Sequence, residues 1–486
     1  MEEVVSIVGR IAALAAERPD AVGCVHVGED GTEHRLTRRE LHDRSGQLAA
    51  ALAARGVDQG DRVAIALRNS PELVLAVLAT WKVGATPIPV RWDVPAWELE
   101  RLLGVIDPTV TLGDDDRAWI AATADDPVPA LPEIVSPHMQ GICSSGSTGM
   151  PKIIVSAVPA LFMPLYSTPM PERWGRSIPR PQTILVLAPM YHINAFTTIQ
   201  NLVAGDRLVV LERFDAARAA EAVERHRVTT FTATPTMLQR IADLPGIDGR
   251  DLGSLRWILQ GAAPMPKSLV HRWIGLIGAG KIYMAYGMTE AIGITALDGE
   301  EWLLHEGSVG RGQNGTEIRI LGEDGAERPT GEIGEVYMRA AAYGGSTYLG
   351  EAPQLRRTDD GFSTVGDVGY LDRDGYLYVV DRRVDMIITG GANVFPAEVE
   401  TALIDHPQIA DVVVVGLRDE EWGRRVHAII EPADPSRPPT IEDVRAYAKA
   451  RLAAYKVPKT VELVDAIPRS AATKVNRGRL VGERGG

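Results

Sequence analysis

Segments typical of buried β-strands alternate with segments typical of helices between residue 37 and about residue 375. The apolar run 63–67 follows a capping-box pattern at Thr37–Glu40 and precedes a Ser-Pro-Glu helix start at Ser70. Further β-rich runs occupy residues 183–189, 207–212 and 228–235. Strands separated by helices usually lie parallel in a sheet that helices cover on both faces. The alternation therefore predicts a large N-terminal α/β domain with parallel sheets flanked by helices.

The pattern changes near the C-terminus. From about Gly375 the chain shows the short strand-like run YLYVVDR, a helical stretch near Pro396 to Ile404, and the β-rich runs DVVVVG and RVHAIIEP. A proline-rich segment at 431–440 has the composition of a surface loop. We therefore predict a small α+β domain of about a hundred residues at the C-terminus, after the large α/β domain.

Bulk composition restricts the class of protein. A chain of 486 residues with 45% hydrophobic and 24% charged residues is typical of a globular protein with at least two cores. A net charge of −13 argues against nucleic-acid binding. Cys24 and Cys143 form no metal-binding pattern and are expected to be small hydrophobic residues. Without a signal peptide or an apolar run of bilayer length, we expect a cytoplasmic protein that does not bind a membrane.

The run SSGSTGMPK, Ser144 to Lys152, has the composition of a phosphate-binding loop. Its glycines allow close approach of the backbone, and its hydroxyl and N–H groups can donate to phosphate oxygens. It is not a Walker A loop, because Pro151 separates Lys152 from Gly149 and Met150. Composition alone is equally compatible with a flexible Ser/Gly linker.

Four more motifs follow in order: AYGMTE (285–290), STVGDVGY (363–370), DRRVDMIITGGANVFPAEVE (381–400) and PRSAATKVNR (468–477). Together with the loop they resemble the adenylate-forming superfamily of acyl- and aryl-CoA synthetases, peptide-synthetase adenylation domains and luciferases. The resemblance implies that a carboxylic acid attacks the α-phosphate of ATP, in the presence of Mg²⁺, to give an acyl-adenylate and pyrophosphate. A nucleophile, usually a thiol, then displaces AMP.

The resemblance also implies how ATP is held. Lys152 and its loop would grip the leaving pyrophosphate, and Tyr286 would stack on adenine, close to the segment QGAAP. Thr289 would contact the α-phosphate and Glu290 would hold magnesium. The ribose hydroxyls would bind Asp367 and Arg382. The full set assigned to ATP is Ser144, Ser145, Gly146, Ser147, Thr148, Gly149, Lys152, Gly261, Ala262, Ala263, Pro264, Tyr286, Asp367 and Arg382.

In the small domain, Lys474 matches the catalytic lysine that bridges the carboxylate and the α-phosphate. The resemblance implies a large domain at 1–381, a hinge at 382–384 and a small, mobile domain at 385–486. Gly390 and Gly391 resemble the segment that lines the acceptor tunnel once the small domain has rotated. Three positions depart from the family pattern: Val365 replaces a usual threonine, Val384 a usual aspartate or lysine at the hinge, and Thr473 a usual glycine.

The stretch APMYHINAF (188–196) carries no aspartate that could pair with the α-ammonium group of an amino acid. It offers His192 and Asn194, as in ligases of acyl and aryl acids, where the histidine lies near the carboxylate; a core histidine is the competing interpretation. The segments 232–237 and 260–265 are apolar, which favours a hydrophobic acid, aromatic or of medium chain length. Residues assigned to the acid are His192, Asn194, Met284, Ala285 and Gly287, and those assigned to catalysis are Lys474, His192, Thr289 and Glu290.

Three functions stay open from sequence. The first is an acid–CoA ligase. The second is an amide synthetase that passes the same adenylate to an amine, an alternative that Val384 and Thr473 keep open. The third is a non-catalytic nucleotide-binding homologue, which the presence of Lys474, Glu290 and Lys152 disfavours. The sequence does not determine the oligomeric state.

Overall fold

The computed structural model of the protein describes residues 5–144, 152–341, 345–350, 354–382, 385–389, 392–469 and 475–485, without the side chains of Ser144, Tyr166 and Arg382. No helix in these ranges combines the length and apolar composition that crossing a bilayer requires.

The first part of the chain contains α1 (Ile7–Glu17), β1 (Val22–Val27), β2 (Glu33–Thr37), α2 (Arg38–Ala54), β3 (Arg62–Ala66), α3 (Pro71–Lys82), β4 (Thr86–Pro89), α4 (Ala96–Ile106), β5 (Val110–Gly113), α5 (Arg117–Ala122) and β6 (Gly141–Ser144). Both predicted helix starts are confirmed. Thr37 and Glu40 form a complete capping box on α2, and the Ser70 side chain accepts from the N–H of Leu73 on α3. Strands β3, β4 and β5 form a parallel sheet.

The next part contains β7 (Lys152–Ser156), α6 (Pro164–Ser167), β8 (Thr183–Val186), α7 (Ile193–Phe196), α8 (Thr198–Val203), β9 (Arg207–Leu211), α9 (Ala216–His226), β10 (Thr230–Ala233), α10 (Pro235–Ala242), β11 (Trp257–Gln260), α11 (Lys267–Ile277), β12 (Ile282–Gly287), β13 (Ile294–Asp298), α12 (Gly299–Leu304) and β14 (Arg311–Gly312). A nine-stranded sheet runs in the order β14-β13-β12-β11-β10-β8-β9-β1-β2. Its strands are parallel from β12 to β1 and antiparallel at both ends.

Alternate residues of β9 belong to two different hydrophobic cores. Leu208 and Val210 pack into one core, which also contains Cys24, whereas Val209 and Leu211 pack into another core with residues of α9, α10 and α11. Both faces of this parallel sheet are therefore covered, as the apolar strand runs predict. Burial raises the pKa of the Cys24 and Cys143 thiols to about 12, which agrees with their predicted role as hydrophobic residues.

Within residues 317–341, 345–350 and 354–382, no α-helix separates the strands, which are β15 (Glu317–Leu321), β16 (Gly334–Arg339), β17 (Ser346–Leu349), β18 (Arg356–Arg357), β19 (Ser363–Thr364), β20 (Asp367–Leu371) and β21 (Leu377–Arg382). All except β17 join one antiparallel sheet, while β17 pairs with β7 in a sheet of order β17-β7-β6. The predicted helix–strand alternation is wrong for this region, because antiparallel neighbours need only a short turn and no helical crossover.

The C-terminal body contains β22 (Ile387–Thr389), β23 (Ala392–Val394), α13 (Pro396–Ile404), β24 (Ile409–Asp419), β25 (Gly423–Pro432), α14 (Ile441–Lys449), β26 (Thr460–Leu463) and α15 (Arg477–Glu483). It has its own sheet and its own core, which confirms the small α+β domain. The chain leaves the antiparallel sheet of the large body at Arg382 and enters this sheet at Ile387. Hinge motion at 382–384 stays a prediction, and Val384 lies outside the described residues.

Candidate functional site

Predicted site residues meet at the edge where the parallel strands β8, β11 and β12 end. Asn194 follows β8, Gly261 follows β11, and Ala285 lies near the end of β12. A methyl group added to Gly261 would lie 3.7 Å from the main-chain oxygen of Ala285 and 3.8 Å from Asn194 Nδ2. The carboxyl edge of a parallel sheet is the usual place for a ligand in α/β folds. The structure thus brings these three residues together.

The turn after β11 is fixed by Gln260, which belongs to the predicted pocket segment 260–265 but was given no role of its own there. Its buried side chain donates from Nε2 to the main-chain oxygens of Ala263, at 2.6 Å, and of Gly261, at 3.3 Å. Ala262 adopts a left-handed conformation with φ of 74°. A residue with a side chain is strained there, so the surrounding contacts must impose this turn.

His192 lies at the N-cap position of α7, where its main-chain oxygen accepts from the N–H groups of Ala195 and Phe196. The imidazole is half-buried, and its centroid lies 4.4 Å from that of the Tyr191 ring. The role of His192 in binding the carboxylic acid stays a prediction.

Asn69 anchors the segment that leads to His192. Its Nδ2 donates to the main-chain oxygens of Ala188 and Leu211, each at 3.0 Å, while its Oδ1 accepts from the N–H of Met190 at 2.7 Å. Asn69 is buried. The sequence gives no signal for this role, because Asn69 immediately precedes the helix start at Ser70 and resembles part of the helix cap.

Two methionines of the predicted acid pocket are core residues. Met284 is 4% exposed and Met237, from the segment 232–237, is fully buried, and both belong to the core beneath α9, α10 and α11. Successive residues of a strand face opposite sides, so Ala285 points away from the side occupied by Met284. Ala285 and Gly287 are therefore better placed than Met284 to line an acid pocket.

The motifs assigned to adenine and ribose are in direct contact. The Tyr286 hydroxyl donates to Asp367 Oδ2 at 2.5 Å, and Asp367 is 5% exposed. In the β20–β21 pair, Asp367 lies directly opposite Arg382. Val365, which departs from the family pattern, packs against the core of the antiparallel sheet.

Lys152 and Glu290 lie on either side of Tyr348, which the motif analysis also missed. The Tyr348 hydroxyl donates to Glu290 Oε1 at 3.0 Å, and Lys152 Nζ lies 5.5 Å from the centre of the Tyr348 ring. Burial, and then the negative charge of Glu290, raise the pKa of Tyr348. Its hydroxyl consequently stays protonated and donates to the carboxylate.

The predicted phosphate loop connects two paired strands. Ser144 at the end of β6 is the antiparallel partner of Lys152 at the start of β7. In a Walker A motif the lysine opens a helix; here it opens a strand. The local architecture therefore differs from that of a P-loop NTPase.

Several predicted residues lie outside the described ranges: Ser145, Gly146, Ser147, Thr148 and Gly149 of the loop, Gly390 and Gly391, and Thr473 and Lys474. The ends of the Lys474 segment are nevertheless defined, because Arg469 and Val475 form an isolated antiparallel bridge. Arg477, just beyond it, contacts Glu400 at 2.7 Å and Asp385 at 3.5 Å.

The chain matches the family model described as AMP-binding enzyme over residues 11–140 and 139–348. It matches the model described as AMP-binding enzyme C-terminal domain over residues 398–474.

Curated relatives and solved structures match along nearly the whole chain. The chain is 34% identical over 470 residues to a feruloyl-CoA synthase from Amycolatopsis sp, covering 92% of this chain and 93% of the relative. It is 32% identical over 486 residues to a long-chain-fatty-acid–CoA ligase from Mycobacterium tuberculosis, covering 92% and 93%. The structure of o-succinylbenzoate CoA synthetase from Bacillus subtilis with its acyl-adenylate intermediate superimposes with a TM-score of 0.81, 28% identity and 97% coverage of each chain. The same enzyme with ATP and a magnesium ion gives a TM-score of 0.81 at 27% identity, covering 97% of this chain and 98% of that one.

Proposed function

Because the chain belongs to the adenylate-forming superfamily of AMP-binding enzymes, we propose that it activates a hydrophobic carboxylic acid, aromatic or of medium chain length, and transfers the acyl group to CoA. The predicted class of enzyme, an AMP-forming acid–CoA ligase that uses ATP, Mg²⁺ and CoA, is confirmed by its family and relatives. The choice of acid and the role of each residue are our proposals.

The reaction has two steps. A carboxylate oxygen forms a bond to the α-phosphorus of ATP, and the bond from that phosphorus to the bridging oxygen breaks, so that pyrophosphate leaves. The sulfur of the CoA thiol then attacks the carbonyl carbon of the acyl-adenylate, the thiol proton is lost, and AMP leaves. Holding both reactants in one site removes much of the entropic cost of each step.

One observation supports this function above the others: the hydrogen bond between Tyr286 and Asp367, 81 positions apart in the chain. It joins the ring assigned to adenine and the carboxylate assigned to ribose, on strands from two different sheets. A carboxylate can accept from both ribose hydroxyls, and such charge-assisted bonds are stronger than neutral ones.

The residues at the predicted metal position fit magnesium, which prefers carboxylate oxygen donors. Glu290 is half-buried, and Tyr348 already orients its Oε1 atom. Bound magnesium supplies charge neutralisation at the phosphates. On the protein side, Lys152 would hold the departing pyrophosphate and Lys474 would neutralise charge at the α-phosphate.

An apolar acid fits the edge described above. Asn194 supplies a polar group there, and Gly261 and Ala285 bring almost no side-chain bulk. A flat aromatic or unbranched chain can approach such a backbone closely, whereas a charged tail would lose its hydration without an ionic partner. Two of the relatives described above are named for acids of these two kinds, the feruloyl and the long-chain fatty acid, whereas the o-succinylbenzoate enzyme is named for an acid with a second carboxylate.

The small domain offers a surface suited to the nucleotide part of CoA. Thr389, which precedes Gly390, pairs with Gly423, and the adjacent Trp422 is 41% exposed. Lys459 Nζ lies 3.5 Å from the centre of the Trp422 ring. An exposed indole can stack on adenine and an ammonium group can meet phosphate. This arrangement supports CoA over a small amine as the acceptor.

The proposal is tested by incubating the protein with ATP, magnesium and a panel of aromatic and aliphatic acids, with and without CoA or amines. We expect pyrophosphate release with a subset of hydrophobic acids and acyl-CoA only when CoA is present. Product formed with amines and not with CoA would favour the amide synthetase, and no pyrophosphate with any acid would favour the nucleotide-binding homologue.

Lys474→Ala separates the two steps. We expect it to abolish adenylate formation while it largely spares thioester formation from supplied acyl-adenylate, because only the first step requires the lysine. Lys449→Ala, on the exposed face of α14, is the matched control and should leave both steps unchanged. Equal loss of both steps in Lys474→Ala would contradict the role assigned to this residue.

A further inference from the structure

We propose that Tyr348 is a positioning residue for the magnesium carboxylate of Glu290 and, through the face of its ring, for the phosphate lysine Lys152. The inference rests on the proposed function, because it assigns a magnesium role to Glu290. Tyr348 belongs to β17, outside the motifs assigned to ATP, to the acid and to the acceptor.

Two side chains of β17 contact Glu290 from the same face of the strand. Ser346 Oγ donates to the main-chain oxygen of Glu290 at 2.8 Å, and the Tyr348 hydroxyl donates to its Oε1 at 3.0 Å. Residues two apart on a strand point the same way. One contact fixes the backbone of Glu290 and the other fixes its carboxylate, so that the direction of the second oxygen, Oε2, is fixed as well.

The same strand also places Lys152. Strand β17 pairs with β7 along its whole length, from Ser346 opposite Ser156 to Leu349 opposite Ile153. Lys152 is the first residue of β7, and its Nζ lies 5.5 Å from the centre of the Tyr348 ring. A tyrosine ring attracts a cation to its face while its hydroxyl donates in the ring plane. One side chain therefore contacts both charged groups.

A tyrosine suits this position because it is a neutral donor. A lysine or arginine next to Glu290 would neutralise the carboxylate and weaken its attraction for magnesium. The hydroxyl orients the carboxylate and leaves its charge unchanged. Among the described contacts, no ion pair joins Lys152 to Glu290; the carboxylate accepts from the tyrosine hydroxyl, and the ammonium group lies over the ring. Both charges thus stay available for ligands.

Tyr348→Phe tests the hydroxyl alone, because the ring and the strand are kept. We expect the magnesium concentration for half-maximal pyrophosphate release to rise about tenfold, as for loss of one hydrogen bond to a charged group. The rate at saturating magnesium and thioester formation from supplied acyl-adenylate should change little. Tyr348→Leu also removes the ring face, and it should additionally raise the KM for ATP.

Tyr376→Phe is the matched control. The Tyr376 hydroxyl donates to Glu301 Oε1 at 3.0 Å, the same type of hydrogen bond at a glutamate outside the site. This variant should keep the magnesium dependence of the wild type. Thermal unfolding checks that Tyr348→Phe is folded. The proposal is overturned if the folded variant shows wild-type magnesium dependence, or if its activity falls equally at every magnesium concentration.

A second readout needs no turnover. Binding of Mn²⁺ in the presence of ATP, followed by electron paramagnetic resonance, should be weaker in Tyr348→Phe than in the wild type and in Tyr376→Phe. If wild-type protein binds Mn²⁺ and ATP but activates no acid, the proposed function fails while this comparison still decides the role of Tyr348. Equal Mn²⁺ affinity in all three proteins would overturn the inference.

Discussion

The carboxylates of the candidate site in the large body and those near the hinge in the small domain are held by different partners. In the large body, the carboxylates of the site accept from tyrosine hydroxyls: Glu290 from Tyr348 at 3.0 Å and Asp367 from Tyr286 at 2.5 Å. A phenol donates one hydrogen bond and carries no charge at neutral pH. For Glu290, the hydroxyl fixes the orientation of the carboxylate while its negative charge is retained.

In the small domain, carboxylates near the hinge and the Lys474 segment are paired with arginines. Asp411 contacts Arg469 at 2.5 Å, and Glu400 contacts Arg477 at 2.7 Å. These pairs connect β24 and α13 to the C-terminal segment that includes Lys474, the lysine we propose to be catalytic. Each pair neutralises its carboxylate, and the role of the arginines is to hold chain segments together.

The difference separates ligand-binding carboxylates from structural ones. A carboxylate that must attract a cation or accept ribose hydroxyls needs a donor that orients it without cancelling its charge. A carboxylate that joins two segments gains from full neutralisation. A neutral hydrogen-bond donor on a partly buried carboxylate is therefore a useful signal of a binding site.

The largest effect is expected from removing charge at the ribose carboxylate. Asp367→Asn keeps the shape of the side chain but weakens two hydrogen bonds to ribose, so kcat/KM for ATP should fall at least about 100-fold. The counterpart Asp411→Asn should lower the unfolding temperature and leave the KM for ATP unchanged. Steady-state kinetics and thermal unfolding of both variants check this pair, and equal effects on ATP use would remove the distinction between the two regions.

A smaller effect, on stability, is expected from Arg477→Met. The change leaves Glu400 without its cation, and because both side chains are about one-fifth to one-quarter exposed the small domain should lose about 2 kcal/mol. Adenylate formation measured below the unfolding transition should keep its KM for ATP. Arg479→Met, which removes an exposed pair with Glu483 on the same helix, is the control and should change stability by less than about 0.5 kcal/mol.

The smallest effect concerns a buried cation with a neutral acceptor. Lys82 is 3% exposed, its Nζ donates to the main-chain oxygen of His42 at 2.5 Å, and Asp43 is the nearby charge that favours its ionised form. Burial lowers the pKa of Lys82 from 10.5 to about 8. Because the pKa of Lys82 is lower in the folded than in the unfolded protein, the buried charge lowers the free energy of unfolding. This destabilisation is complete below pH 8 and is relieved as the pH rises toward 10.5.

The difference in unfolding free energy between wild type and Lys82→Met should therefore shrink by about 1 kcal/mol from pH 7 to pH 9. Taking the difference between the two proteins cancels the opposite contribution of the buried thiols of Cys24 and Cys143, which both proteins share. Urea unfolding at each pH measures it. A difference that is constant with pH would show that Lys82 does not titrate in this range.

Local signals in the sequence predicted the elements well. The capping box at Thr37, the Ser70-Pro71 start and the helix from Pro396 to Ile404 are all confirmed. Each depends on hydrogen bonds or dihedral preferences within about four residues, so the pattern contains the whole interaction. The antiparallel strands of residues 317–382 were not predicted, because their pairing depends on partners elsewhere in the chain.

The sequence by itself determined the family, and it predicted the chemical groups of the candidate site: the phosphate loop with Lys152, the motifs of Glu290 and Asp367, and the segment of Lys474. Only the tertiary structure decided that Tyr348 holds Glu290, from 58 positions away, that Gln260 shapes the turn beside Gly261, and that Met284 faces the core. The physical reason is that these roles depend on the direction of a side chain and on a distant donor. A motif fixes the identity of a residue, whereas the packed sheets fix its contacts.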